Sequence, residues 1–398
     1  MVRARNASSC VDAPRWRSPT DENCVVHAQR GCRAADAAKS CCACGRRTPR
    51  QSWAARKRAL AGTVVVQQTH LVSDAAIARF TLAQQQLRAA SAQHFVAFLI
   101  GDDPKRDRCS DARHPRAADL ARLRRALGDD GVWCIDPPAF SKLWPGFFDG
   151  VAKLPWTHPL PPPRQAPHWR YRASNALGWH WAWAAACDLP GLVGVLIRNS
   201  RGGELAAWWK ARGFRWLWTL DWDVGWTGDL AGILAAFGDQ KHDYLAGAPP
   251  HLADPTWFPF FPLRNHLADH QVYQTLVVPQ RFSRRMLDAV DASVRAGNLS
   301  FCEARSPSLC ALHGWCTQDG LSELQPSLFG PFSCCNSIST AKLWEAQKVW
   351  HDSGRGRPPG QLMHRVRDAA TYSVNTDVHA HATWRGATRK RSRRRPKI

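Results

Sequence analysis

Apolar and polar positions along the chain alternate between two periods. The β-branched run Thr63-Val-Val-Val-Gln-Gln68 suits a buried strand. Helical spacing follows over 74–90, where Ile77, Phe80, Leu82 and Leu87 supply the apolar positions. The segment HFVAFLI at 94–100 predicts a second strand, stopped by Gly101-Asp102-Asp103-Pro104. A helix over 117–127 and a third strand at 132–135 come next. Beyond a Pro-rich interruption at 154–167, which reads as a loop over a site, the pattern predicts a helix over 174–186 and a strand over 192–197. A helix over 203–212 and the strand FRWLWTL at 214–220 complete this stretch. Thr227 is expected to cap a helix over 229–237, with Gly238 just past its end. Ser283 is expected to cap a helix carrying Met286, Leu287, Val290 and Val294, closed by Gly297. Strands alternating with helices at this spacing predict an α/β fold, an open and mostly parallel Rossmann-like sheet flanked by helices. Ligands of such a sheet bind beyond the C-terminal ends of its strands.

Composition supports a folded chain: of 398 residues, 44% are apolar and 10% aromatic, enough for a sizeable core. The formal charge of +22 suggests a polyanion partner until its location is considered. Residues 1–62 carry 13 Lys/Arg against 4 Asp/Glu, and residues 385–398 carry 8 with no acid. The 322 residues between hold 33 basic and 28 acidic side chains, a net of +5. Seventeen of the 22 charges therefore sit on the two ends, where basic tails usually are solvated. The expected organisation is a basic Cys-rich extension over 1–61, one domain over 62–384, and a basic tail over 385–398. No nucleic-acid module, Gly-rich phosphate loop or nucleophile elbow appears, so no specific nucleic acid is expected as partner.

Fourteen cysteines divide the question of compartment. Cys41, Cys42 and Cys44 lack the second ligand pair that a zinc module needs. Cys302, Cys310, Cys316, Cys334 and Cys335 read better as a disulfide-tied region, which requires an oxidising lumen. Asn-x-Ser/Thr sequons at Asn6 and Asn298 are compatible with that compartment. No signal pattern opens the chain and no 18-residue apolar run occurs. Either the protein is soluble and intracellular, or the true start precedes this sequence and the protein enters the secretory pathway, in the Golgi or the endoplasmic reticulum lumen.

The strongest chemical signal is Trp216-Leu-Trp-Thr-Leu-Asp221-Trp222-Asp223-Val-Gly225-Trp226-Thr-Gly-Asp229. An apolar strand ends in two carboxylates one residue apart and turns through Gly225. Strand alternation would put both carboxylates on one side, which suits a hard divalent cation bridging a diphosphate. Two turn-capping Asp residues are the bland alternative. This run resembles the metal-binding strand of GT-A-fold glycosyltransferases, closest to a poorly characterised group with an acidic-x-Asp strand end, a Gly-Asp helix and then an Asp-x-Leu strand. Later segments agree in order. They are the strand leading into Ser283, Gly320-Leu-Ser-Glu323-Leu-Gln-Pro-Ser-Leu328, and Gln361-Leu-Met-His364-Arg-Val, where Arg365 stands in place of the group's proline. The resemblance spans about residues 63–368.

It implies that Asp221 and Asp223 hold Mn²⁺ or Mg²⁺ together with a nucleotide-diphosphate sugar, with His364 as a third ligand or diphosphate contact. Glu323 is the implied general base toward a hydroxyl of a glycan or glycoprotein acceptor, with Asp319 as the alternative. Trp222 and Trp226, flanking the acid pair, are assigned as donor or acceptor contacts. Two other readings stand beside this one. A haloacid-dehalogenase-like phosphatase would use Asp221 as nucleophile, although Val224-Gly225 departs from that signature. A non-enzymatic basic protein would bind polyanions through its tails, leaving the acidic strand end without a role.

Overall fold

The structure, a computed structural model, describes residues 52–69, 72–100, 107–147, 214–253, 267–275, 279–297, 302–325, 328, 338–353, 360–363 and 366–367. The chain divides into two compact units, Met1–Ala55 and Arg56–Ile398. Almost all described residues belong to the second. The elements expected at 174–186, 192–197 and 203–212, the Pro-rich loop, both sequons and both tails lie outside the described residues.

The described elements run as follows: α1 (Trp53–Ala59), β1 (Thr63–Thr69), α2 (Asp74–Ala89), β2 (Gln93–Leu99), α3 (Ala117–Leu127), β3 (Val132–Ile135) and α4 (Pro137–Leu143). After the next described stretch begins come β4 (Trp216–Asp221), β5 (Gly225–Thr227), α5 (Leu230–Ala235), β6 (Tyr244–Ala246), β7 (His251–Leu252), β8 (Tyr273–Gln274) and β9 (Gln280–Ser283). The remainder are α6 (Arg284–Arg295), α7 (Cys302–Leu312), β10 (Gln318–Gly320), α8 (Leu321–Leu324), β11 (Ile338–Ser339), α9 (Thr340–Asp352), β12 (Gln361–Met363) and β13 (Val366–Arg367).

Seven strands form one sheet in the order β10-β6-β9-β4-β1-β2-β3. All are parallel except β9, which runs against both of its neighbours, β4 and β6. The mixed α/β, mostly parallel sheet expected from the alternating pattern is therefore present, with an antiparallel strand that the pattern did not announce. From β1 the chain moves outward through β2 to β3, then returns to place β4 on β1's other side. This reversal makes the junction of β1 and β4 a topological switch point, where the strands' C-terminal ends leave a crevice.

Strand alternation sends side chains into two layers. On one face Val64, Val66, Leu217 and Phe282 pack against Met286, Leu287, Val290 and Val294 of α6 and Cys310 of α7. On the other, Val65, Trp218 and Leu220 meet Ala83 and Leu87 of α2 and the apolar side of α5, while Val96 and Phe98 meet Phe80 and Leu123. Each such fully buried side chain is worth about 1.5–3 kcal/mol relative to exposure. Ser73 and Ser283 cap α2 and α6 by accepting the Ala76 and Met286 N–H groups at 3.1 and 3.2 Å. The helix expected from Thr227 begins later: Asp229 is its cap, accepting the Ala231 N–H at 3.1 Å, and Thr227 belongs to β5. Helix α7 carries Pro307 in its interior. Proline removes the N–H that would reach the Glu303 carbonyl, and Thr275 supplies the missing donor at 3.0 Å.

Two disulfides close loops on this frame, Cys109–Cys134 and Cys310–Cys316, with sequence separations of 25 and 6. The second lies in the region expected to be disulfide-tied. Cys334, Cys335 and the side chain of Cys302 are outside the described residues. The chain-entropy relation gives about 3.5 and about 2 kcal/mol for loops of these lengths. Peptide mapping under non-reducing conditions should recover both pairs, and reduction should lower the urea unfolding free energy by a sum of that order. Fully reduced thiols in protein isolated from its source would remove this support for an oxidising compartment.

A buried polar pair sits within the second layer. His94 and Gln67 are 1% and 0% exposed, and His94 Nε2 lies 2.8 Å from Gln67 Oε1. Burial, with the nearby Arg88 charge, pushes the imidazole from 6.5 down to about 3. The unfolded chain therefore binds a proton below about pH 6.5 that the folded chain refuses until about 3. This group's contribution is complete above pH 6.5 and falls by about 1.4 kcal/mol per pH unit below it. Going from pH 7 to pH 5 should remove about 2 kcal/mol of stability, and His94→Phe should lose that portion of the acid sensitivity. Urea unfolding of both proteins at the two pH values checks this; equal acid losses would refute it.

Candidate functional site

Strand β4 delivers Asp221 to the switch point. It pairs in register with Gln68 of β1, and Gln68 Nε2 donates to Asp221 Oδ1 at 2.5 Å. The strand ends there, so alternation does not reach Asp223, which stands in the following turn. The expected co-facing of the two carboxylates therefore has no basis in strand period. The turn itself sets Asp223: the Val224 N–H donates to the Asp221 carbonyl at 3.1 Å, and the Val366 N–H donates to the Asp223 carbonyl at 2.7 Å.

That last bond brings the chain's closing segment to the acidic turn. Strand β12 pairs antiparallel with β5, matching Gln361 to Thr227, Leu362 to Trp226 and Met363 to Gly225. Gly225 is required for this approach. A Cβ at 225 would lie 2.5 Å from Val366 Cγ2 and 2.7 Å from Leu343 Cδ2. His364 itself lies outside the described residues; its described neighbours Met363 and Val366 flank the turn.

Side chains from three helices brace the turn from behind. Arg79 of α2, 2% exposed, donates through Nη2 to the Trp222 carbonyl at 3.1 Å. Gln86 of α2 accepts from Trp226 Nε1 at 3.0 Å and from the Leu230 N–H at 2.9 Å, and donates to the Gly228 carbonyl at 3.0 Å. Gln347 of α9 accepts the Gly228 N–H at 2.5 Å and donates to the same carbonyl at 3.1 Å. Arg56 of α1 pairs with Asp229. None of these was singled out from the sequence. Arg79 had a signal: it occupies the buried side of α2 between Ala76 and Phe80, where an unsupported charge would be expensive.

Trp226 is a core residue, 2% exposed and packed with Leu230, Leu234 and Leu362, so the expectation of a ligand-stacking face fails there. Trp222 is half-buried and packs against the cluster containing Phe80 and Phe98.

Asp319 and Glu323 lie further along the sheet. Strand β10 is the edge, three strands from β4, which at the usual spacing is about 14 Å. Asp319 pairs in register with Leu245 and so faces the layer of Trp218, opposite to Asp221. Its Oδ1 accepts the Gly320 N–H at 2.7 Å and its Oδ2 is 3.8 Å from His242 Nε2. Glu323 is exposed on α8, immediately beyond the C-terminal end of β10. Gly320 allows the chain to pass: a Cβ there would lie 2.2 Å from the Pro249 nitrogen.

The Asp-x-Leu strand and the Ser-capped helix meet, but as sheet supports. Buried Asp243 accepts from Ser283 Oγ at 2.8 Å, from Arg285 Nη2 at 2.9 and 3.0 Å, and from the Thr317 N–H at 3.3 Å.

Among the described residues, no three His, Cys, Asp or Glu side chains converge as a metal-binding group. Two carboxylates at a strand end fit a hard cation that draws its remaining ligands from water and substrate phosphates. No helix among the described residues is long and apolar enough to cross a membrane. No model of a known protein family matches the chain, and no curated protein matches it. What fold and site define is a mostly parallel α/β protein with a braced acidic turn at its switch point.

Proposed function

We propose that the chain is a metal-dependent glycosyltransferase of GT-A type, moving a sugar from a nucleotide-diphosphate donor to a hydroxyl of a glycan or glycoprotein. One observation carries this reading: two segments resembling the same enzyme group, 134 residues apart at Thr227 and Gln361, converge on Asp223 at the switch point. In this reading Asp221 and Asp223 would hold Mn²⁺ or Mg²⁺, with His364 as the third contact that the resemblance supplies. The cation, when bound, would offset the charge of the departing nucleotide diphosphate. The chain's own residues do the rest. Arg79, Gln86 and Gln347 brace the backbone of the segment that carries both carboxylates. Glu323, exposed beyond the C-terminal end of β10, takes the acceptor's proton as its oxygen bonds to the anomeric carbon and the bond from that carbon to phosphate oxygen breaks. Asp319, turned to the opposite layer, is the less well placed candidate. The two disulfides fit an oxidising compartment, where glycoprotein acceptors are found.

The test is hydrolysis of a panel of nucleotide-diphosphate sugars by the full chain with Mn²⁺, with chelator, and by Asp223→Asn. One donor should be hydrolysed, only with the cation and only by the wild type. If folded protein turns over none of them, or the variant matches it, the reading fails. Hydrolysis of a phosphate monoester that Asp221→Asn abolishes would favour the phosphatase alternative.

A further inference from the structure

We infer that Gln68 is a positioning residue for the cation-binding carboxylate of Asp221, an inference that rests on the metal-site reading above. Gln68 stands at the C-terminal end of β1, opposite Asp221 across the switch point. It shares the face of Val64 and Val66, and its Nε2 donates to Asp221 Oδ1. Its own amide oxygen is buried and has no hydrogen-bond partner among the described residues. The amide has only one tolerable orientation, because turning it round would set two acceptor oxygens against each other.

Magnitudes indicate what this arrangement is for. A hydrogen bond to a charged acceptor stabilises by an amount similar to what a buried amide oxygen left without a donor costs. The two nearly cancel, so Gln68 adds little to stability. A side chain whose stabilising and destabilising terms offset at a crevice is better explained by what it orients. A neutral N–H fixes the rotation of the Asp221 carboxylate without cancelling its charge, which Lys or Arg in that place would do. Adjacent Gln67 is a natural contrast. It faces the opposite layer, is fully buried, and bonds His94 instead of an acid.

The test is Mn²⁺ titration of the full chain, without donor, read by the spin-resonance signal of free Mn²⁺, alongside urea unfolding. Gln68→Met keeps the volume and removes the N–H. It should weaken Mn²⁺ binding by about 10–100-fold, the usual effect of losing a group that orients a ligand, and leave the unfolding midpoint in place. Gln67→Met should do the reverse, lowering the midpoint and leaving Mn²⁺ affinity unchanged. The inference is overturned if Gln68→Met binds as wild type does. It is equally overturned if that variant does not fold, or if Gln67→Met weakens Mn²⁺ as much. A wild type that binds no better than Asp223→Asn overturns the metal-site reading and this inference with it, whereas wild-type binding with an unaltered Gln68→Met overturns this inference alone.

Discussion

Under the proposed function, Asp223→Asn is expected to lower turnover of the accepted nucleotide-diphosphate sugar by about 10²–10³-fold at saturating Mn²⁺, the range for losing one preorganised electrostatic contribution. The substitution preserves volume and removes the charge. The backbone bond from the Val366 N–H to the Asp223 carbonyl is kept in this variant. Asp221→Asn should reduce turnover comparably, and the double variant should fall short of the product of the two, since in that reading both carboxylates would act on one ion. Steady-state kcat/KM with Mn²⁺ held saturating, paired with urea unfolding, separates these effects. Variants within threefold of wild type would show that the acidic pair does not take part.

Arg281→Met is expected to lower unfolding free energy by about 2–5 kcal/mol, at about 1–3 kcal/mol for each buried carbonyl left without a donor. Arg281 is 1% exposed in the antiparallel strand β9. It donates to the Phe237 carbonyl at 2.7 Å, the Gln240 carbonyl at 2.9 Å and the His242 carbonyl at 3.1 Å. Its guanidinium lies 3.9 Å from the Trp216 ring centroid. Burial, with Arg215 alongside, pulls it down to about 9 while Asp243 pulls the other way, so it keeps its charge at neutral pH. One cation thus ties together the connection from α5 to β6; methionine would take this donor from the Gln240 and His242 carbonyls, while the Phe237 carbonyl keeps the Gln240 N–H at 3.1 Å. Arg281→Lys keeps the charge but not the planar fork and should lose about half as much. Equilibrium urea unfolding of the three proteins decides; a methionine variant within 1 kcal/mol of wild type would mean that those carbonyls find other donors.

These cases show why the fold was more legible than the site. Val64, Val65 and Val66, the capping Ser283 and the apolar spacing of α6 act locally, so period and cap chemistry placed β1, α2, α3, β3 and α6 within a residue or two. The acidic strand end was equally visible in Asp221-x-Asp223. Arg281 was not, because an arginine in Gln-Arg-Phe-Ser reads as solvated until three carbonyls some 40 residues earlier surround it. Helix α7 was hidden by Pro307, whose missing donor is replaced by Thr275 from a separate strand region. Trp226 was misassigned because flanking an acidic pair says nothing about direction: the antiparallel pairing with Leu362 and the bond to Gln86 take its ring into the core. Gln68 carried no sequence signal at all, since its significance exists only once β1 and β4 are paired.

The place of β9 has a kinetic consequence. Strands β4 and β6 have no contact in the sheet except through residues 280–283, so a chain growing from its N-terminus leaves β4 with an open edge until β9 has been made. The acidic turn waits longer still, for Met363 and Val366, and closing so long a loop is slow because its entropy is lost before any contact forms. The sheet is therefore an early product of synthesis and the acidic turn a late one. Damage confined to the closing segment would give chains that survive as folded protein with that turn left unfinished.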